Sequence, residues 1–430
     1  MGWKKMKLGE VLKNREGRYR PNNPSIAGLK RIDKINFSGQ IFLSDKDSNT
    51  DMIIVKKGDL IISGINVEKG ALAIYDGEDD ILATIHYSSY IFDPEKIDID
   101  FLKVFLRSPD FIQLLKEQVP GGIKTEIKPK HILPLFVYFP ETIQEQKLVA
   151  RNFFEKVKKL KILDGYVNSQ LSLLESLNQA ILQEAVQGKL VPQNPNDEPA
   201  SELLKRIKAE KTKLAKKEKP LPPIRPEEIP FVIPGNWVWC RLGELTDYGS
   251  SPKAEPSDLS NNTWVLDLED IEKTTSNVIS KLRFDERNSL STKSVFKKGD
   301  VLYSKLRPYL DKVIVADEDG VCTTEILPLK CYAYLNPYYL RYALKRADFL
   351  KYVNSKTRGM KMPRLGTKEG QLALIPIPPL SEQKLIVSEI ERQYAKTKEI
   401  KGYILRSQQA TEQLLKALLH QAFEVDNKAF

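Results

Sequence analysis

The segment "LIPIPPLSEQKLIVSEIERQ" (Leu374–Gln393) joins a short apolar strand pattern to a long helical pattern. Prolines stiffen the end of the strand, and Ser381 followed by the acidic Glu382 is typical of a helix start. Nearly the same corner occurs about 240 residues earlier, as "LPLFVYFPETIQEQKLVARNFF" (Leu133–Phe154). A chain that repeats such a corner is expected to repeat the larger unit around it.

Two further pairs of segments repeat in the same order. The first pair is "MKLGEVL" (Met6–Leu12) and "CRLGELT" (Cys240–Thr246). The second pair is "VKKGDLIISGI" (Val55–Ile65) and "FKKGDVLYSKL" (Phe296–Leu306). Because the spacing between copies is nearly constant, the sequence predicts a tandem duplication.

Each copy has the same internal plan. Short β-type runs are broken by Gly and Asp turns and by short helical patches, and a long helix follows. The predicted fold class is a pair of mixed α/β (α+β) modules with two long coiled-coil helices, arranged as a tandem repeat with internal pseudo-symmetry. The predicted boundaries are 1–140 (first module), 141–190 (first long helix), 191–235 (charged, proline-rich linker), 236–378 (second module) and 379–425 (second long helix).

The long helices carry narrow apolar seams with steps of three or four residues. A narrow seam on a charged helix needs a partner, and the other copy has the matching length. The predicted seam residues are Val157, Leu160, Leu163, Val167, Leu171, Leu174, Leu177 and Ile181 in the first helix, and Ile390, Ile404, Leu415 and Leu418 in the second.

Between the copies, "ASELLKRIKAEKTKLAKKEK" (Ala200–Lys219) reads as a charged helix, followed by a proline-rich stretch at 220–230. We expect a solvated linker helix and a semi-rigid tether; a contact with a DNA backbone is the alternative.

Bulk composition narrows the class of protein. The 430 residues are 41% apolar, which suits globular folding in two or three domains, and the net charge of +10 favours a polyanionic partner. Cys240, Cys322 and Cys331 are too few for a disulfide framework and indicate a reducing compartment. Without a signal peptide or a membrane-length apolar stretch, the expected location is the cytosol.

Catalytic motifs are absent from the sequence. It contains no phosphate-binding GxxxxGK[ST] loop, and His86, His131 and His420 lack partners at metal-ligand or triad spacing. "NPYY" (Asn336–Tyr339) superficially resembles the tetrapeptide of amino-methyltransferases but reads better as a helix start. The sequence therefore predicts no catalytic site and no metal site.

Basic residues concentrate instead in loops of both modules, interleaved with aromatic and small polar residues. Lys and Arg neutralise phosphates, and Arg can also read guanine edges. Solvated basic loops are the alternative. The candidate DNA-contact residues are Lys124, Lys128 and Lys130 in the first module, and Tyr303, Ser304, Lys305, Arg307, Tyr309, Lys356, Arg358, Lys361 and Arg364 in the second.

Several segments resemble the specificity (S) subunits of type I restriction–modification systems, and the resemblance covers essentially the whole chain. Both corners resemble the start of a conserved helical region in that family, although the first has "YFPET" where the second has "PPLSE". Three other segments are similar to family segments: "QAILQEAVQGKLVPQNPNDEPASELLKRIKAEK" (Gln179–Lys211), "IPGNWVWCRLGEL" (Ile233–Leu245) and "KKGDVLYSKLRPYL" (Lys297–Leu310).

The resemblance implies a function. Each module would be a target-recognition domain reading one half of a bipartite, asymmetric DNA target. The two long helices would be antiparallel, would separate the modules and would set the spacer. The helical regions would dock two methyltransferase (M) subunits, which would bind S-adenosylmethionine, while this chain itself binds no cofactor. Two restriction (R) subunits could join the complex, and the resemblance implies a cytoplasmic location in a prokaryote.

Two other classes remain open from the residues alone. An enzyme fragment or fused nuclease–methyltransferase specificity module would transfer methyl groups by itself. A two-headed protein scaffold would have no salt-dependent affinity for DNA.

Overall fold

The computed structural model describes residues 2–36, 39–46, 48–65, 71–118, 126–214, 220–287 and 290–423. The chain divides into unit 1 (Met1–Ser169 with Ile404–Phe430) and unit 2 (Gln170–Tyr403). Each unit holds one mixed α/β module and one end of each of two long helices. The predicted fold class is confirmed in these features.

Unit 1 is built from short strands in small sheets. Its sheet orders are β1-β10, β2-β9-β6-β7 and β4-β3-β8-β5. The strands are β1 (Trp3–Lys7), β2 (Leu12–Asn14), β3 (Arg31–Ile35), β4 (Ile41–Ser44), β5 (Met52–Val55), β6 (Leu60–Ser63), β7 (Leu72–Ile74), β8 (Ile81–Thr84), β9 (Tyr87–Phe92) and β10 (Phe136–Pro140). The helices are α1 (Ile99–Phe105), α2 (Pro109–Gln118), α3 (Pro129–Ile132) and the first long helix, α4 (Ile143–Val186).

Unit 2 has sheets of order β11-β22, β12-β15-β18-β13-β14, β17-β16-β19 and β20-β21. The strands are β11 (Val238–Arg241), β12 (Lys253–Ala254), β13 (Trp264–Leu266), β14 (Leu282–Arg283), β15 (Lys293–Phe296), β16 (Val301–Ser304), β17 (Val313–Val315), β18 (Gly320–Cys322), β19 (Ile326–Leu329), β20 (Thr357–Arg358), β21 (Arg364–Leu365) and β22 (Leu374–Ile377). The helices are α5 (Ala200–Leu214), α6 (Leu242–Leu245), α7 (Phe284–Arg287), α8 (Pro337–Lys345), α9 (Ala347–Lys356), α10 (Thr367–Gln371) and the second long helix, α11 (Leu380–Phe423).

The two modules share one topology. The order β4-β3-β8-β5 in unit 1 matches β14-β13-β18-β15 in unit 2, and both sheets pair their middle strands in parallel. The strand registers agree as well. In unit 1 the last residue of β5, Val55, faces the first residue of β8, Ile81. In unit 2 the last residue of β15, Phe296, faces the first residue of β18, Gly320. The repeats in sequence therefore reflect a duplicated domain.

A buried glutamine builds each strand-to-helix corner. In unit 1 the side-chain oxygen of Gln146 accepts from the Asp98 N–H at 2.8 Å, and its amide donates to the carbonyl of Pro140. In unit 2 Gln383 accepts from the Asn336 N–H at 2.8 Å and donates to the carbonyl of Pro378. Each glutamine thus ties the first turn of a long helix to the last strand and to a neighbouring helix start.

The long helices are antiparallel. In unit 1, Val149 and Phe153 near the start of α4 pack on the same core as Leu419 and Ala422 near the end of α11. In unit 2, Asn178 near the end of α4 contacts Thr397 in the first half of α11. The structure buries the predicted seam residues Leu160, Val167, Ile181, Ile390 and Ile404, and half-buries Val157, Leu171, Leu174, Leu415 and Leu418.

Two predicted seam residues need correction. Leu163 is 50% exposed and Leu177 is 46% exposed. Steps of three and four residues from Leu171 through Leu174 to Ile181 place the seam position between them at Asn178, one residue after Leu177. Because consecutive helical residues lie about 100° apart around the axis, a one-residue offset turns a side chain away from the partner helix.

The linker helix is not solvated, contrary to expectation. α5 buries Ala200, Leu203 and Ile207 in the core of unit 2. The ammonium of Lys211, at its C-terminal end, donates to the carbonyls of Gly243 and Thr246. The amphipathic pattern inside the charged run was the signal for this docking.

The proline-rich stretch is also held on unit 2. The buried guanidinium of Arg241 donates to the carbonyls of Pro222 and Pro223 and pairs with Glu228 at 3.1 Å. Because the Arg241 guanidinium binds these groups, the proline-rich stretch packs on the module. It is therefore not the semi-rigid tether that the sequence predicted.

Candidate nucleic-acid interface

Strand β16 ends in unit 2 with two predicted contact residues that do not reach the surface. Tyr303 is 2% exposed, and its ring packs edge-on against Phe349 of α9. Ser304 is equally buried, and its hydroxyl donates to the carbonyl of Leu306 at 2.8 Å. Strand β16 is the central strand of its sheet, and α9 covers it. The buried side chains of Tyr303 and Ser304 therefore cannot contact DNA in this conformation.

The chain leaves the core directly after Ser304. The Lys305 N–H donates to Glu325 at 3.0 Å, and its carbonyl accepts from Leu365 at 2.9 Å. The Arg307 N–H donates to the carbonyl of Pro363 at 2.7 Å. These backbone bonds lay the turn after β16 against the β20–β21 hairpin, although the two lie far apart in sequence.

The turn and the hairpin together present a basic surface, which we call the hairpin patch. Arg358 pairs with Glu369, and Arg364 pairs with Glu325, both at 3.0 Å. The hydrogen bond with Glu325 raises the pKa of Arg364. The hairpin patch consists of Lys305, Arg307, Arg358, Lys361 and Arg364.

Three cations of the hairpin patch lack a carboxylate partner. Within the described ranges, no acidic group lies within ion-pair distance of the side chains of Lys305, Arg307 or Lys361. The Arg307 guanidinium makes a 3.3 Å hydrogen bond to the carbonyl of Lys361 and is otherwise exposed. Such side chains are available to anionic groups of a ligand.

Apolar side chains stand beside these cations. Tyr309 is 52% exposed, and Met360 at the hairpin tip is fully exposed. Gly359, with φ of +99°, permits the tight hairpin loop. Lys356, by contrast, lines a cavity of about 700 Å³ with Arg225 and Glu369.

Unit 1 has the same backbone arrangement with other side chains. The Gly64 N–H, directly after β6, donates to His86, and the Gly64 carbonyl accepts from Ile127, both at 2.8 Å. A Cβ on Gly64 would lie 2.6 Å from the Ile127 carbonyl oxygen, so the close approach requires glycine. Lys128 pairs with Glu126 at 3.2 Å, and Lys130 is exposed. The predicted contact residue Lys124 lies outside the described residues.

Comparison of the two modules shows a side-chain pair in which the acidic and basic residues exchange places. His86 and Glu126 pair at 2.9 Å in unit 1, where Glu325 and Arg364 pair in unit 2. The hydrogen bond with His86 lowers the pKa of Glu126. Because the flanking backbone bonds match, these pairs occupy equivalent places, and the modules present different chemistry there.

Sequence reasoning missed His86, Glu126 and Glu325 at this site. An alignment of the two copies carried beyond the repeated motifs would have brought His86 opposite Glu325. It also missed the outer apolar residues of α4, since Ile162 and Tyr166 are more than half exposed.

The described ranges contain neither a candidate metal site nor a candidate membrane-spanning helix. They hold no group of three or more His, Cys, Asp and Glu side chains placed to bind a metal ion. None of the helices there combines the length and the apolar composition that crossing a bilayer requires.

Solved structures define the class of fold. A chain from a structure of complex assembly and conformational transition in the type I restriction–modification (R-M) system aligns with a TM-score of 0.60 and 18% identity, covering 99% of this chain and 98% of that one. The HsdS subunit from Thermoanaerobacter tengcongensis aligns with a TM-score of 0.51 and 18% identity, covering 99% and 97%. The chain therefore has the fold of these proteins.

Sequence relatives narrow the class further. The Escherichia coli type I restriction enzyme EcoAI specificity subunit is 34% identical over 56% of this chain and 43% of its own length. The EcoEI subunit is 31% identical over 57% and 44%, and the EcoDI subunit is 27% identical over 78% and 71%. No protein-family model matches the chain.

The chain is therefore similar in sequence to specificity subunits of type I restriction enzymes. It matches less than half of the length of the EcoAI and EcoEI subunits, and more than two thirds of the EcoDI subunit.

Proposed function

We propose that the chain is the DNA sequence-recognition subunit of a type I restriction–modification complex. Each module would read one half of a bipartite, asymmetric target. The observation that carries this proposal is the duplication of one module with different side chains at equivalent loop positions, as in the inverted pairs His86–Glu126 and Glu325–Arg364. Two different readers on one chain suit a target with unlike halves.

The hairpin patch supports DNA as the ligand. Exposed cations without carboxylate partners can replace the counterions of a phosphate backbone. Because these counterions are released on binding, the affinity of the protein for DNA falls steeply as the salt concentration rises. Arg307 and Lys361 stand on two adjoining turns that project from the module, beside the exposed Tyr309. Arg can also bind guanine through two hydrogen bonds, which adds sequence discrimination.

The long helices support a role as spacer and as docking surface. In unit 1, Ile162, Leu163 and Tyr166 form an exposed apolar face on α4, and Leu173 and Leu177 do so in unit 2. Exposed apolar faces on otherwise charged helices suit a protein partner. We propose that they dock two methyltransferase (M) subunits, that S-adenosylmethionine binds on those subunits, and that restriction (R) subunits can join. In this proposal the chain itself is not catalytic.

Selection of DNA by the full chain tests the proposal. The protein is incubated with a pool of random-sequence duplexes at several salt concentrations, and the bound duplexes are sequenced. We expect two unlike short motifs at a fixed distance and a linear loss of log affinity with log salt. Enrichment of no motif, together with affinity that does not depend on salt, would show that the chain is not a DNA reader.

Substitution of Arg307 localises the contact. Arg307→Ala should lower affinity for the selected duplex about tenfold, the effect of losing one phosphate or base contact. Lys297→Ala is the matched control, because Lys297 is an exposed lysine at the other end of β16 and pairs with Asp319 at 2.9 Å. Equal effects of the two substitutions would remove the hairpin patch from the interface.

A further inference from the structure

A lysine at the end of α8 is buried in unit 2 and serves none of the contacts described so far. Lys345 is 6% exposed. Its ammonium donates to the carboxylate of Asp311 at 2.6 Å and to the Asp311 carbonyl at 3.0 Å. It also donates to the carbonyl of Thr274 at 2.8 Å and to the hydroxyl of Ser276 at 2.9 Å.

These partners come from two separate turns. Thr274 and Ser276 lie in the connection between β13 and β14, whereas Asp311 ends the turn between β16 and β17 that carries Arg307 and Tyr309. The Ser276 hydroxyl donates to the Asp311 carbonyl at 2.8 Å. The hydrogen bonds of Lys345 therefore hold both turns against the end of helix α8.

Backbone conformation marks the same place. Within the described residues, every non-glycine residue with positive φ belongs to these two turns: Thr274, Ser276, Arg307 and Asp311, with φ between 49° and 66°. Left-handed conformations of such residues persist only where surrounding contacts impose them, and they concentrate at functional sites. The network around Lys345 supplies those contacts for Ser276 and Asp311.

Unit 1 has a cation at the equivalent place. The helix pairs α1–α2 and α8–α9 align from the N-caps Asp98 and Asn336 onward, which brings Arg107 opposite Lys345. Arg107 donates to the carbonyl of Leu72, the first residue of β7, at 3.2 Å. Its Nη2 atom also lies 2.0 Å from where a Cβ on Gly39 would stand, in the connection between β3 and β4. A cation at this helix position thus lies beside the β3–β4 connection and the start of β7, the counterparts of the β13–β14 connection and of β17.

We propose that Lys345 is a positioning residue for DNA recognition: it fixes the turn that carries Arg307 and Tyr309. This proposal rests on the proposed function, since it concerns how that function gains its specificity. Lys345 itself is buried and does not touch the ligand.

A role in stability alone explains the arrangement less well. Burial lowers the pKa of Lys345 and raises that of Asp311 to about 6, so desolvation works against the charged pair in spite of their contact. A buried ion pair is often no more stabilising than apolar residues of similar volume. Its directional hydrogen bonds, however, define one conformation of the turns.

The test compares sequence discrimination by full-length variants, using the pool of random duplexes. In Lys345→Met, selection at one half of the motif should be relaxed, with discrimination against the wrong base falling about tenfold at one or more positions. The other half should remain unchanged. Lys345→Arg, which keeps the charge and the donors, should restore part of the discrimination.

Lys211→Met is the matched control. Lys211 is another buried lysine of unit 2, and its ammonium donates to two carbonyls away from these turns. It should lower thermal stability and leave both halves of the motif intact. If Lys345→Met lowers stability like Lys211→Met and leaves the motif equally intact, the positioning role is wrong.

A smaller change covers the case in which Lys345→Met does not fold. Ser276→Ala removes only the hydroxyl that accepts from Lys345 and from the Val313 N–H at 3.1 Å. Relaxed selection at the same half of the motif supports the proposal, and an unaltered motif overturns it. Absence of any motif with the wild-type chain would instead count against the proposed function itself.

Discussion

At the scale of single residues, buried polar side chains decide local geometry in this chain. Gln146 and Gln383 each bind one backbone N–H and one carbonyl at a strand-to-helix corner. Unsatisfied buried backbone groups cost about 1–3 kcal/mol each, so a glutamine that satisfies two of them stabilises its corner. This explains why the motif around each corner contains "EQK" in both copies.

Removing either glutamine should destabilise its own unit. Gln146→Ala leaves the Asp98 N–H and the Pro140 carbonyl without this partner, and we expect a loss of about 2–4 kcal/mol. Hydrogen–deuterium exchange should become faster in α1 and β10 but not in α8 and β22. Gln383→Ala should give the reverse pattern.

Gln409→Ala is the control within unit 1, because Gln409 is exposed on α11. It should change stability by no more than about 0.5 kcal/mol. Uniform acceleration of exchange in both units by Gln146→Ala would contradict a local role for the corner.

At the scale of elements, the antiparallel helices combine an apolar seam with a polar contact. The Thr397 hydroxyl donates to the side-chain oxygen of Asn178 at 2.9 Å in unit 2. A polar residue within a coiled-coil seam specifies register at some cost in stability. The pair therefore selects which turns of α4 and α11 face each other.

A double-mutant cycle should detect this contact. Thr397→Val keeps the side-chain volume but leaves the Asn178 oxygen unpaired, and we expect a loss of about 1 kcal/mol. In the background of Asn178→Leu the same change should cost much less, giving a coupling energy of at least about 0.5 kcal/mol in urea unfolding. Additive effects would mean that the two side chains do not interact in solution.

At the scale of the whole molecule, duplication of one module followed by divergence of its loops explains why the two modules share a fold but differ in surface chemistry. The sheets and corners are kept in both modules, whereas the loop side chains differ, as in the pairs His86–Glu126 and Glu325–Arg364. We expect the recognised DNA to have unlike halves for this reason.

Helix length should set the distance between those halves. Deleting 161–167 from α4 and 408–414 from α11 removes one heptad from each helix at matching levels, counted from the contact between Asn178 and Thr397. Each helix shortens by about 10 Å at 1.5 Å per residue. At 3.4 Å per base step, the gap in the methylated or selected motif should shrink by about three base pairs.

The half-site sequences should stay the same in this deletion variant. Duplicating the same heptads should lengthen the gap by the same amount. A gap that does not change in either variant would show that the helices do not determine spacing.

Patterns along the chain were enough to predict the duplication, the fold class and most of the helix seam. These features depend on patterns that repeat along the chain, namely strand and helix periodicity and the corner motif, and local patterns can be read without knowing distant contacts.

Long-range contacts, by contrast, determine which loop side chains are available to a ligand. Tyr303 and Ser304 follow the pattern of a basic-aromatic loop, yet Phe349 of α9 and the sheet around β16 bury Tyr303. The hairpin patch and the contacts of Lys345 join segments tens of residues apart. Burial and pairing depend on such long-range contacts, which no local pattern in the sequence records.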